Sequence, residues 1–348
     1  MRRRCTHIAI LALLTAAFAG CQRDPWTYPD GEPIRFAAQA MNVSSSDTKA
    51  LALNGVEYLV GDGHQMALYG VWQSGAPGND VTDLFDNQLL TCSGSPAAGY
   101  SWDYWPTRYW DKAGSYDFRA VYPATADADR RYYTDDGKLV VNYSMHVDEY
   151  DLLVASAQRM QPAGGVGTVD LNFQHALSAL RFEFYRSAGS ETEYHVRRFE
   201  LQYVHSIGML TYQEAAGEPV ALTSWLRADA RTTRVLQWEV DSNENAWPVA
   251  ASGGTYTAGE WYYAIPQELY ADDGVHPSVR FGVTVGDDDT VVYTTLRIPE
   301  TGANDAHLTW DPGKKYIYRI EIKPTQSTIS VEVKDWDVSY VSVDDIVF

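Results

Sequence analysis

The chain's eight histidines, three cysteines and 46 carboxylates are its candidate bases, nucleophiles and metal ligands, and none falls into a spacing that makes a site by itself. There is no His-Glu-x-x-His, no Gly-x-Ser-x-Gly, no phosphate-cradling glycine loop and no Cys-x-x-Cys. A carboxylate pair for glycoside hydrolysis is defined by distance in space, so linear spacing does not decide it. The reading is a protein without a catalytic centre, a metal or a cofactor. His175 lies inside the apolar run Phe173 to Phe184 and is expected to be a hydrogen-bonded structural histidine. Asp287, Asp288 and Asp289 have the oxygens that calcium takes, but three successive carboxylates between strand-like runs read more simply as a solvated turn.

The densest group with binding chemistry is aromatic: Tyr100, Trp102, Tyr104, Trp105, Tyr109 and Trp110. If exposed, Trp102, Trp105 and Trp110 would form a platform on which a glycan could stack. If buried, each ring would remove about 150 to 250 Å² from water, and a domain without disulfides needs that burial.

One cysteine has a chemistry set by its neighbours. Arg2, Arg3 and Arg4 precede an apolar run from Ile8 to Phe18, which is too short to span a bilayer and reads as an export signal. Phe18-Ala19-Gly20-Cys21 then resembles a lipobox, in which the cysteine is acylated and becomes the first mature residue. The signal peptide would cover 1–20, with Cys21 as the attachment point to the membrane. Loss of residues 1–20 leaves 24 basic and 46 acidic side chains, a net charge of −22. Such a surface repels nucleic acid and anionic lipid headgroups, so attachment would come from the acyl chains alone. With Cys5 removed and Cys21 acylated, Cys92 has no partner for an intrachain disulfide.

The elements that carry these residues are strands. Aromatic residues make up 13% of the chain, including 24 tyrosines and 11 tryptophans, and long stripes at helical period are hard to find. Lys314 to Lys323 and Tyr116 to Pro123 alternate apolar and polar residues. Other strand-like runs are Gln65–Trp72, Lys138–Ser144, Val169–Tyr185, Tyr194–Val204, Thr232–Val240, Glu260–Gln267 and Thr328–Trp336. Val279–Gly286 and Thr290–Pro299 form a hairpin around Asp287 to Asp289. Short strands with tight turns and no alternating helices predict an all-β chain of antiparallel sandwiches. The glycine-rich segment 161–167 divides it into domains at 51–163 and 164–348, after a lipid-attached leading segment at 21–50.

The order of motifs is similar to that of a known family. Trp102-x-Tyr104-x-Pro106, Tyr109-Trp110 and Tyr116-Asp117-Phe118-Arg119-Ala120-Val121-Tyr122-Pro123 resemble the hallmark stretch of the fimbrillin, or major-fimbrium-like, family of lipoprotein pilins from Gram-negative anaerobes. Asp111 stands where that family usually has proline. The lipobox, a leading strand at Ile34-Arg35-Phe36, Thr48-Lys49-Ala50, Leu171 to Leu177, Trp310 to Tyr316, and Val331 to Trp336 follow in the family's order.

The resemblance implies two transthyretin-like β-sandwich domains and a role as a fimbrial subunit or tip adhesin at the outer membrane. It also implies removal of the leading strand by a trypsin-like protease, for which the bond after Lys49 is the candidate. A neighbouring subunit's strand would then fill the vacated groove. Ile34 and Phe36 mark the removable strand, and Val338, Tyr340, Val341 and Val343 lie in the candidate donor tail. The implied partners are other fimbrial subunits and a surface glycan or protein. The competing reading is a glycan-binding surface lipoprotein built on the tryptophan platform.

Overall fold

The computed structural model describes residues 32–40, 59, 61–74, 81–95, 97, 99–110, 114–124, 131–134, 137–148, 150–160, 167–186, 191–215, 218–227, 236–251, 256–257, 261–269, 276–298, 309–323 and 327–335. Their architecture is all-β. The first nine strands are β1 (Phe36–Ala40), β2 (Gln65–Gln73), β3 (Val81–Ser95), β4 (Gly99–Asp103), β5 (Ser115–Tyr122), β6 (Arg131–Tyr133), β7 (Leu139–Ser144), β8 (Leu153–Met160) and β9 (Val169–His175). They are followed by β10 (Ser178–Arg186), β11 (Tyr194–Gln202), β12 (Ile207–Tyr212), β13 (Trp225–Arg227) and β14 (Leu236–Glu239). The last long strands are β15 (Ser278–Val285), β16 (Val292–Arg297), β17 (Lys314–Ile322) and β18 (Thr328–Asp335), with shorter pieces between.

A seven-stranded sheet runs in the order β1-β9-β8-β5-β2-β3-β4. A four-stranded sheet, β13-β12-β7-β6, takes strands from both halves of the chain. β14-β11-β15-β16 and β10-β17-β18 are the backbones of two further sheets. Hydrogen bonding therefore crosses the glycine-rich segment at 161–167: β9 follows it in sequence and joins the sheet built from the strands before it.

Alternation along the central strands gives the seven-stranded sheet a core on each face. Met66 and Leu68 of β2, with Tyr116, Phe118, Ala120 and Tyr122 of β5, belong to one cluster, which also holds Ile34 and Phe36. Ala67, Tyr69 and Val121 point the other way, into the larger cluster shared with the remaining sheets. Gly70 permits close packing within the first of these clusters: a Cβ there would stand 2.8 Å from the Phe118 ring and 3.0 Å from the Phe85 ring.

Two expectations need correction. Not every pairing is antiparallel, since β1 runs parallel to β9 and β10 parallel to β17. Val169–Tyr185 is not one strand either, because the chain leaves one sheet at His175 and enters another at Ser178. That crossing is pinned by polar contacts which a run of apolar residues does not reveal. The Trp225 indole donates to the Ala176 carbonyl at 2.8 Å, and the Gln174 amide donates to Glu218 O at 2.7 Å while accepting from Val220 N–H at 2.8 Å.

Candidate functional site

The leading strand occupies a slot in the first sheet. Along one side β1 pairs with β9 in the register Phe36 to Val169, Ala38 to Leu171 and Ala40 to Phe173, and the Val169 N–H donates to Arg35 O at 2.7 Å. The residues just before β1 are held from the other side. Ile34 N–H donates to Arg108 O at 2.9 Å, Trp110 N–H donates to Glu32 O at 3.0 Å, and Pro33 bridges to Tyr109. The segment thus sits between β9 and the 108–110 stretch, with backbone partners on both sides.

The slot is apolar. Ile34 is 1% exposed and Phe36 4%. The Phe36 ring meets Phe85, Tyr104 and Phe118 edge-on, with centroid separations of 5.6, 6.0 and 5.3 Å. Arg35, between them, is exposed, as the two-residue period requires. The slot's polar component is Tyr104, whose hydroxyl donates to Ile34 O at 2.7 Å and accepts from Arg108 N–H at 3.3 Å. Burial pushes its phenol up to about 12 from 10.0. It stays neutral at physiological pH and keeps its proton for Ile34.

β4 and the chain after it form the slot's far wall, passing through a cis Trp105–Pro106 bond. Trp102 and Trp110 are buried in the slot's own hydrophobic cluster, at 7% and 6% exposure, whereas Trp105 is 83% exposed. The three indoles therefore do not share one exposed face. Tyr104 and Phe118 stand out in the sequence as part of the aromatic group and the hallmark stretch, though not as walls of a slot, and Phe85 does not stand out at all. Phe85 is hidden because β3 pairs with β2 irregularly, with shifts of register between Leu68 and Val71.

His175 has the structural role expected of it, with Nδ1 at 2.5 Å from Asp151 Oδ2. Asp288 accepts the Thr290 N–H at 2.9 Å within the β15–β16 turn, and among the described residues no cluster of ligands could hold a metal. Cys92 is a free, fully buried thiol, raised by burial. Cys21, Lys49, Val338, Tyr340, Val341 and Val343 lie outside the described residues.

Comparison with known proteins agrees with this architecture. No curated protein matches the chain. A fimbrial protein from Bacteroides vulgatus superposes with a TM-score of 0.56 at 12% identity, covering 87% of this chain and 99% of the other. A candidate cell adhesion protein from Bacteroides ovatus gives 0.51 at 15% identity over 88% and 98%. At such identities the likeness concerns the fold. The sequence model of the fimbrillin-like proteins matches residues 60–336, the bulk of the chain, and on that match the chain belongs to the fimbrillin-like family.

Proposed function

We propose that this chain is a fimbrial subunit or tip component, held at the outer membrane by acyl chains on Cys21. It is a structural and adhesive protein rather than an enzyme, a reading supported by its membership of the fimbrillin-like family and by its likeness in fold to a fimbrial protein. It joins the fibre when the leading strand is cut away after Lys49 and a neighbour's strand takes its place.

The observation that carries this reading is the docking of Ile34 and Phe36 between β9 and residues 108–110. Removal of that segment would leave the Val169 and Trp110 N–H groups and the Arg108 carbonyl without these partners, beside an uncovered apolar floor. Unpaired strand edges next to apolar pockets are what β-augmentation uses. An occupant gains about 1.5 to 3 kcal/mol for each large apolar side chain and about 1 kcal/mol for each backbone hydrogen bond, before ordering costs. The tail supplies a suitable pattern: Val338, Tyr340 and Ser342 repeat the apolar, aromatic and small spacing of Ile34, Phe36 and Ala38.

Deletion of Val338–Phe348 tests the donor half of the proposal. The expected product is a folded, trypsin-activated monomer that forms no fibres by electron microscopy, and fibres of normal length would exclude the tail as donor.

A further inference from the structure

A second feature, independent of strand exchange, lies where three sheets meet. A cleft of about 320 Å³ is lined by Trp238 and Gln237 of β14, by Trp261, Tyr262 and Tyr263, and by Asp148 just beyond β7. We propose that this cleft is a binding site for an uncharged saccharide.

The size is that of a small-ligand site, and the meeting of separate structural layers is where such sites are commonly found. The rings are only partly buried, so their surface remains available, unlike Trp102 and Trp110. They are also held rigidly. Trp238 stacks on Trp247 with centroids 3.6 Å apart and planes at 8°, and Tyr262 stacks on Phe199 at 6.1 Å and 19°. Rigid, pre-positioned rings lose little entropy when a ligand docks. Two cations sit over the Trp261 ring, Arg181 at 5.5 Å and Lys315 at 5.4 Å from its centroid, and help to hold its orientation.

The lining chemistry selects among ligands. A saturated hydrocarbon would cover the Gln237 amide with apolar surface, which is unfavourable. An anionic ligand would meet Asp148, on a mature chain of net charge −22. A pyranose has polarised C–H faces for aromatic rings and hydroxyls that both donate and accept. Asp148 is itself anchored, accepting the Ser144 N–H at 2.7 Å, so its carboxylate does not swing.

The test is binding of the mature chain to an array of neutral and acidic oligosaccharides, followed by titration of the best neutral hit using tryptophan fluorescence. Saturable binding to a neutral glycan is expected, weakened at least about tenfold by Trp261→Ala and by Gln237→Ala. Gln237 is exposed, so Gln237→Ala retains the fold even if a tryptophan variant does not. Trp105→Ala should bind as the unaltered chain does. Absence of any neutral hit, preference for acidic glycans, or affinity indifferent to both cleft substitutions would overturn the proposal. Fibre formation by Gln237→Ala should be unchanged, so failure of the cleft and failure of the strand-exchange reading give different results.

Discussion

Phe36 stands edge-on to Phe118, with ring centroids 5.3 Å apart and planes at 83°. One ring belongs to the leading strand and the other to the centre of the first sheet, so the contact ties the leading segment directly to the core. An edge-to-face pair adds roughly 0.5 to 1.5 kcal/mol beyond area burial.

Phe36→Ala should therefore destabilise the intact chain by about 3 to 5 kcal/mol, the usual cost of emptying a buried phenylalanine site. Arg35→Ala, one position away and exposed, should change stability by less than about 0.5 kcal/mol. Urea denaturation of both variants checks the contrast. Equal effects would mean that the strand is not docked through its apolar face.

Tyr104 gives the slot a pH dependence. Its phenol titrates near 10 in the unfolded chain and at about 12 when buried, so the folded state retains a proton that the unfolded state has lost. This contribution is complete below pH 10 and declines as pH rises from 10 to about 12. Tyr69, raised to about 12 by burial, acts in the same window. Tyr104→Phe should cost about 1 kcal/mol at neutral pH through loss of the hydrogen bond to Ile34 O, and should make the alkaline decline shallower. Thermal melts at pH 8, 10 and 11.5 check both effects.

Gly70→Ala should cost about 1 to 3 kcal/mol, because the added methyl would press on the Phe85 and Phe118 rings that also contact Phe36. Differential scanning calorimetry before and after trypsin treatment checks whether the loss is felt most while the leading strand is in place.

Cys21→Ser should abolish incorporation of labelled palmitate and release the protein from the membrane fraction, since the acidic mature chain has little attraction of its own for anionic lipid. Retention in that fraction would point to a different anchor.

The parts of this fold that were legible beforehand are those in which alternation is undisturbed. Tyr116 to Tyr122 and Lys314 to Ile322 each show it, and each is a central strand. β3 is not legible in the sequence because Asp83, Asp86 and Asn87 interrupt its pattern, and Asn87 takes a φ of 48° within the strand. β8 reads Leu-Val-Ala-Ser-Ala-Gln, too short and alanine-rich to separate from helix by periodicity. For the slot, Ile34 and Phe36 were recognisable from their own alternation. Tyr104 and the backbone of 108–110 were not, because they arrive from about seventy residues away, and only the sheet's curl brings them to the leading strand.

The central claim is that the place held by Ile34 and Phe36 can be vacated and refilled by another copy's tail. It is tested most directly by limited trypsin treatment of the purified mature chain, followed by amino-terminal sequencing and electron microscopy. The account predicts a product beginning at Ala50 that assembles into fibres, with the chain lacking Val338–Phe348 cut at the same bond and remaining monomeric. A product beginning at Ala50 that stays a folded monomer with its tail intact, or fibres built from chains that retain Ile34 and Phe36, would contradict it.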